Sequence, residues 1–384
     1  MTYDQLHLAS RRPLTKYAGP LQDPIRSKEK VYRLEKLDEP LVVGGALERN
    51  DTCQRPAIPT EKWIVQTEPT EGDDTFAESI IQRVLAGFSC MIQGAPGTGK
   101  SHLLAEIRDR LQGVGHLVET LAPTNAAARI IGGRTIHNFC ARIGKSDRGF
   151  AGTLLIDEIS MVSLGLVAVL DHLRSSGCRI ISFGDWDQLE PVGNSWRGKA
   201  VAPSILRESA LLKRWSGSNL FELTRCRRSD QVHFDMYTRL HPDLRTAIAA
   251  TRAVYKKSSR AERGALHLVI SHKKRRTLNA IHQTVLADGK AGLDITGHEG
   301  EPEYRCVVGT PLCGSCTGHG FTNGAFYRVV DIAGLKVKDC LTEEVLECTP
   351  EILAKHTCLG HAVVYNRAQG MTCNQRVVLH DMGC

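Results

Sequence analysis

The sequence predicts an α/β protein built on parallel sheets, on three observations. Between residues 75 and 183, short apolar strands alternate with amphipathic helices, the pattern of a parallel sheet covered by helices. Within that stretch, a strand over 88–93 runs into Gly94-Ala95-Pro96-Gly97-Thr98-Gly99-Lys100-Ser101 and then into a helix over 101–111. Further on, the apolar run Leu154-Leu155-Ile156 ends on two consecutive carboxylates, Asp157-Glu158.

Taken in order, residues 1 to about 70 mix prolines, both charge signs and short apolar pieces, with no repeat and no motif. A helix over 75–86 follows, its apolar stripe made of Phe76, Ile80, Ile81, Val84 and Leu85, and Gly87 ends it. The helix after the glycine loop presents Leu103, Leu104, Ile107 and Leu111 on one face. A strand over 116–121 leads into a loop and a helix of small residues, Ala126 to Arg129. Strands over 154–157 and 179–183 flank a helix over 162–173.

The glycine loop fits G-x-x-x-x-G-K-[ST] at every fixed position, which is the phosphate-binding P-loop. Glycines let successive backbone N–H groups turn inward onto phosphate oxygens that side chains would otherwise block. Lys100 then reaches the β- and γ-phosphates, and the Ser101 hydroxyl is placed to ligate Mg²⁺. The strand–loop–helix order sets a helix N-terminus, with its unpaired N–H groups, against the phosphates. Asp157, at the carboxyl end of its strand, falls beside this loop, where it would hold Mg²⁺. Glu158 would orient and deprotonate an attacking water. These residues call for a nucleoside triphosphate and Mg²⁺.

The chain has 384 residues, long enough for two or more domains. Its 42% hydrophobic and 24% charged content is that of an ordinary globular protein. No apolar run approaches the ~18 residues of a membrane span, and no signal-peptide core opens the chain, so an intracellular, soluble protein without a membrane partner is expected. Thirteen scattered cysteines, an odd number, do not form a secreted disulfide framework and are expected to be mostly reduced. Cys313-Gly314-Ser315-Cys316, with His319 near and Cys306 upstream, reads as a glycine-rich loop rather than a zinc site. The net charge of +7 is compatible with a polyanionic partner.

Further segments carry a family resemblance. Ala122-Pro123-Thr124-Asn125-Ala126-Ala127-Ala128, Arg134-Thr135-Ile136-His137-Asn138-Phe139, Asp157-Glu158-Ile159-Ser160-Met161 and Gly184-Asp185-Trp186-Asp187-Gln188-Leu189-Glu190-Pro191-Val192 occur in that order. The series closely resembles the superfamily 1 helicases of the RecD-like and Pif-type group. The resemblance extends, less sharply, through Phe221 to Asp230, residues 266–279, Gly309-Thr310-Pro311, Thr322-Asn323-Gly324 and Arg367 to Thr372.

The resemblance implies two RecA-like lobes: a first over 73–219, and a second over 220–384 carrying a small β-barrel-like insert near 305–355. Residues 1–72 remain without a role. It implies Gln188 as γ-phosphate sensor, able both to donate to a phosphate oxygen and to accept from water, and Arg228 as a phosphate-facing arginine opening the second lobe. Gln369 and Gly370 would belong to the nucleotide site. Pro123, Thr124 and Asn125 would grip a phosphate of single-stranded nucleic acid at a helix start, with Gln369 and Thr372 gripping another. His137 and Phe139 either contact the strand or pack the lobe. Trp186 offers a stacking face for a base or a core side chain. The basic run from Lys273 to Arg276 reads as a solvated helix start rather than a nucleic-acid patch.

The implied function is an ATP-dependent helicase or translocase on single-stranded nucleic acid, DNA before RNA, moving 5′→3′ as the family does. A nucleic-acid-binding ATPase fold with little turnover and an RNA-directed superfamily 1 enzyme are the alternatives. Four features depart from the family pattern. Ala77, followed by Glu78, stands where an adenine-reading glutamine is expected. Only 14 residues separate Phe139 from Leu154, where relatives carry a strand-splitting wedge. Asn366 replaces a histidine, and the family's last arginine motif does not follow Thr372, so slow hydrolysis is expected of the chain as given.

Overall fold

The computed structural model describes residues 62–69, 75–144, 149–173, 178–188, 191, 194–196, 199–239, 243–255, 264–368, 373 and 375–381. Contacts divide the chain into two compact units. One comprises residues up to Pro123 with Ile131–Ser229, and the other Thr124–Ile130 with Asp230 to the C-terminal end.

The first unit is built on strands β1 (Ile64–Thr67), β2 (Cys90–Gly94), β3 (Val118–Ala122), β4 (Arg134–Thr135), β5 (Thr153–Ile156) and β6 (Arg179–Gly184), with a short hairpin β7 (Ser195–Trp196) and β8 (Lys199–Ala200), and β9 (Asn219–Leu223). Seven strands form one sheet in the order β1-β9-β2-β6-β5-β3-β4, every pairing parallel. Between them run α1 (Thr75–Leu85), α2 (Lys100–Gly113), α3 (Asn125–Ile130), α4 (Ile136–Ile143), α5 (Leu164–Leu173), α6 (Pro203–Arg207) and α7 (Ala210–Trp215), of which α3 groups with the second unit. Helices on a parallel sheet bury both its faces, which is why β5 is apolar and buried at every position after Thr153. Met91, Leu121, Leu154, Ile156, Ile180 and Leu170 share one core.

Two placements differ from the expected division. β1 lies within residues 1–72, yet it is an edge strand of the first sheet. β9, expected beyond the start of the second lobe at 220, lies between β1 and the P-loop strand β2 and pairs with both. Its buried Leu220, Phe221 and Leu223 need two covered faces, which an inner position in a large sheet supplies. Because the strands are parallel, the carboxyl ends of β2, β5, β6 and β9 meet at one edge of the sheet.

In the second unit, α8 (Gln231–Thr238) and α9 (Leu244–Val254) precede β10 (Leu266–Val269) and α10 (His272–Ala287). A hairpin of β11 (Leu293–Ile295) and β12 (Tyr304–Cys306) follows. Then come β13 (Pro311–Gly314), β14 (Phe326–Asp331), β15 (Lys336–Asp339), β16 (Val345–Glu347), α11 (Pro350–His356), β17 (Thr357–Leu359), β18 (Ala362–Val364), α12 (Tyr365–Ala368) and β19 (Val377–Leu379). The insert expected near 305–355 takes the form of a five-stranded antiparallel sheet, β16-β15-β14-β13-β17, around Leu312, Phe321, Tyr327, Val337 and Leu353. β10 is flanked in parallel by β18 and β19. Cys313, expected in a loop, is a buried residue of β13. Among the described residues no helix is long and apolar enough to cross a membrane.

The basic run at the start of α10 is less solvated than its composition suggests. Ser271 caps the helix, accepting from the Lys274 N–H at 3.3 Å. Lys274 pairs with Asp381, and Arg275 and Arg276 share Glu301. Arg275 is buried.

Candidate nucleotide site

β2 ends at Gly94, and the loop from there to Ser101 is shaped by glycines where space or φ demands them. A Cβ on Gly94 would stand 2.6 Å from the Leu223 carbonyl oxygen and 2.7 Å from the Thr98 hydroxyl. Gly97 and Gly99 adopt φ of 87° and 94°, a region that side-chain-bearing residues avoid. Lys100, the first residue of α2, folds back onto the loop, its Nζ donating to the Gly94 and Ala95 carbonyls at 2.6 and 3.0 Å. Burial pushes its pKa down, opposed by the carboxylates of Glu158, Asp185 and Asp157. A buried ammonium resting on carbonyls that carry no full charge is well placed to accept a phosphate instead.

Asp157 and Glu158 follow β5 and face that ammonium electrostatically. Asp157 is buried, and the Ser101 hydroxyl donates to its Oδ2 at 3.4 Å. Burial raises the Asp157 pKa against the pull of the Glu158 N–H, Lys100 and Ser101. Glu158 sits in the left-handed region at φ 51°, ψ 45°, a conformation that costs a non-glycine residue about 1–3 kcal/mol and concentrates at functional sites. Burial, then the negative charge of Asp157, pushes its carboxyl up to about 7. Its Oε2 is buried with no hydrogen-bond partner among the described residues. Gly184, ending β6, admits the turn after Glu158: a Cβ there would lie 2.8 Å from Ile159 Cγ2.

Asp185, also buried, orients Gln188. Its Oδ1 accepts from the Asp187 N–H at 3.1 Å, and its Oδ2 accepts from Gln188 Nε2 at 3.2 Å. Leu189, Glu190 and Val192 of the same motif lie outside the described residues. Trp186 packs at the rim of the first core, which favours the core reading of that side chain over an open stacking face.

The exit from β9 supplies a part of the site that sequence reasoning missed. The Arg227 N–H donates to the Gly97 carbonyl at 2.8 Å and its guanidinium to the Thr98 carbonyl at 3.0 Å. Glu68, just past β1 and only 4% exposed, pairs with the same guanidinium at 2.6 Å. The other Glu68 oxygen accepts from the Thr224 and Arg225 N–H groups at 2.9 and 3.1 Å. Arg228, the residue chosen from the sequence, is exposed, belongs to the first unit rather than opening the second, and its charge bears on Lys100. Glu78 is engaged by Arg110 at 2.8 Å and by Gln82 at 2.6 Å, tying α1 to α2.

The residues expected to meet a strand separate into three groups. Thr124 caps α3, its hydroxyl accepting from the Ala127 N–H at 3.2 Å, with Pro123 before it and Asn125 opening the helix. Within the second unit, Arg129 of α3 pairs with Asp339. His137 is exposed on α4. Phe139 is a correction: it is 1% exposed and meets Phe150 edge-on at 5.4 Å, so its ring belongs to the core. An aromatic at the fourth position of α4 falls on the inward face, and spacing alone does not reveal this. Gln369, Gly370 and Thr372 lie outside the described residues, as does the Asn366 side chain.

The donor set suits a Mg²⁺–triphosphate. Ser101 and Asp157 offer the hard oxygens that Mg²⁺ takes, and this ion keeps water and substrate phosphate for its remaining positions. No cage of three or more ligating side chains occurs among the described residues, and none is needed for such an ion. A seven-stranded parallel sheet with this loop and these paired carboxylates at its carboxyl edge defines a P-loop NTPase fold.

Comparison with known proteins narrows the class. An AAA domain family matches residues 78–229. The ATP-dependent RecD2 DNA helicase of Deinococcus radiodurans is 30% identical over 144 residues, covering 34% of this chain and 20% of that protein. The human ATP-dependent DNA helicase PIF1 is 28% identical over 201 residues, covering 45% and 31%. The matches thus span about a fifth to a third of these curated relatives. In fold, the Pif1 helicase of Candida albicans aligns with a TM-score of 0.57 at 19% identity, covering 80% of this chain and 88% of that one. Bacteroides Pif1 bound to single-stranded DNA aligns with a TM-score of 0.56 at 16% identity, covering 80% and 86%. In sequence over its first unit the chain is similar to RecD2 and PIF1 DNA helicases, and in fold it is similar to solved Pif1 helicases.

Proposed function

We propose that the chain is an ATP-dependent helicase or translocase acting on single-stranded DNA, coupling hydrolysis in the first unit to movement along the strand. The observation that carries this reading is the set Lys100, Ser101, Asp157 and Glu158 at the carboxyl edge of one sheet, with a buried Glu158 oxygen left without a partner. Lys100 would exchange its loop carbonyls for the β- and γ-phosphates. Glu158, its carboxyl held near neutrality, suits the removal of a proton from water at physiological pH. Gln188, held by Asp185, would sense the γ-phosphate, and Arg228 would add positive charge at its edge. Mg²⁺ on Ser101 and Asp157 would neutralise charge developing on the phosphates.

For the strand, Pro123, Thr124 and Asn125 at the start of α3, His137 on α4, and Gln369 with Thr372 supply the expected phosphate grips. Support for DNA comes from relatives named DNA helicases and from a solved Pif1 with bound single-stranded DNA. The test is ATP turnover by the full chain alone, with single-stranded DNA and with single-stranded RNA. Stimulation by DNA well above that by RNA supports the reading. Equal or greater stimulation by RNA rejects DNA as the preferred strand, and binding of both ligands without turnover rejects the motor.

A further inference from the structure

Two cysteines of the second unit face one another across adjacent strands. Cys313 of β13 and Cys358 of β17 are register partners in the antiparallel sheet, and both are buried and free. The bonds flanking them, Ser315 N–H to the His356 carbonyl at 2.8 Å and Gly360 N–H to the Pro311 carbonyl at 2.9 Å, make theirs a hydrogen-bonded pair. Such partners have Cα atoms about 5.5 Å apart, within the range that a disulfide spans.

The surroundings are those of an anion. Arg275 donates to the Cys358 sulfur at 3.4 Å, and Arg367 donates to the Cys313 sulfur at the same distance. Glu301 is shared by Arg275 and Arg276, and Arg367 has no carboxylate partner among the described residues. Arg275 is buried and Arg367 half-buried, while Arg276 reaches solvent, so positive charge at the two sulfurs exceeds what the one carboxylate offsets. A single thiolate shared by the two sulfurs offsets the rest. The hydrogen bond from Cys313, with Arg275 and Arg367, holds the Cys358 thiol below the usual cysteine range despite its burial. Cys358 also lines a small cleft with Asn279, Glu301, Tyr304 and Thr357.

We propose that Cys313 and Cys358 form a thiol–disulfide switch, oxidised by small hydroperoxides, with Cys358 attacking and Cys313 resolving. The Cys358 thiolate attacks one peroxide oxygen; the O–O bond breaks, and the departing oxygen leaves as water once protonated. The Cys358 sulfenic acid is then attacked by the Cys313 sulfur, forming the S–S bond and releasing a second water. Overall, two thiols lose two electrons and two protons, and hydrogen peroxide is reduced to two waters. The product ties β13 to β17 and removes the anion from between Arg275 and Arg367.

The test treats the full chain with substoichiometric hydrogen peroxide, blocks remaining thiols under denaturing conditions and maps peptides without reduction. The Cys313–Cys358 link should form before any other pair and disappear with dithiothreitol. Arg367→Gln should slow its formation at least roughly fivefold, in line with a lost thiolate partner. Cys313→Ser keeps the attacking sulfur, so a sulfenic acid should accumulate at Cys358 and be trapped by dimedone. Another pair linking first, a rate unaffected by Arg367→Gln, or no dimedone adduct at Cys358 in Cys313→Ser would overturn the proposal.

Discussion

Glu68 holds Arg227 against the P-loop. One carboxylate oxygen lies 2.6 Å from the guanidinium, which itself donates to the Thr98 carbonyl at 3.0 Å, while the Arg227 N–H meets the Gly97 carbonyl at 2.8 Å. An edge strand and the exit of an inner strand are thereby tied to the backbone that must cradle phosphate. The clamp leaves the loop N–H groups free for a ligand because it uses only loop carbonyls.

Removing the clamp should loosen both the fold and the site. Glu68→Ala leaves Arg227 and the Thr224 and Arg225 N–H groups without their acceptor. A destabilisation of about 3 kcal/mol is expected, the low end for a broken buried pair because Arg227 keeps some exposure. If about 1.4 kcal/mol of this reaches the loop, ATP binds roughly tenfold more weakly. Thermal melting and titration with a fluorescent ATP analogue measure the two effects; parental values for both would remove the clamp from the site.

Binding and hydrolysis should separate between Lys100 and Glu158. Lys100→Ala removes the charge meant for the phosphates and should abolish ATP binding. Glu158→Gln keeps the size of the side chain and loses only its ability to take a proton, so ATP should remain bound while turnover falls by about 10²–10⁴. Equilibrium binding and single-turnover hydrolysis distinguish the variants, and near-parental turnover by Glu158→Gln would exclude it as the base.

The proposed grip on a strand is electrostatic and should respond to salt. Each phosphate contact on single-stranded DNA should contribute about −0.7 to the slope of log affinity against log salt. Thr124→Ala should weaken binding to all sequences alike, while Phe139→Leu should act through stability because that ring is buried. Fluorescence anisotropy across a salt series reads the first effect. A binding constant indifferent to salt, or a Thr124→Ala defect confined to one sequence, contradicts a phosphate grip.

That Lys100, Ser101, Asp157 and Glu158 lie together was legible in the sequence because phosphate and metal binding demand particular residue types at short, fixed spacings. Gln188 was singled out only through the family resemblance, and its support by Asp185 emerges only from the hydrogen bond between them. Glu68 was not. A single carboxylate that meets Arg227 across more than 150 residues leaves no local pattern to read. β9 shows a related limit: its apolar residues announce a strand, but not that it enters the first sheet beside β2. Cys313 sits among glycines that suggest a loop, and only pairing with β17 makes it a buried strand residue.

Glu158 also links activity and stability to pH. Its carboxyl is raised to about 7 by burial, then by Asp157, with Asp185 adding and Lys100 opposing. A base must be ionised, so kcat/KM, which reports the free enzyme, should rise with pH and reach half its plateau near about 7. Stability runs the other way. Because the folded pKa lies above the ordinary glutamate value, the fold favours the protonated carboxyl. That contribution is complete below about pH 4 and is lost as pH rises through about 7. Glu158→Gln imitates the protonated state. Its melting midpoint should therefore exceed the parent's at about pH 8 and approach it towards about pH 4, where the parent carboxyl is itself neutral. The pair of measurements is decisive together: a variant that loses turnover but gains no stability at high pH would mean that the carboxylate is paired in solution, and not the partnerless group from which its role as base was argued.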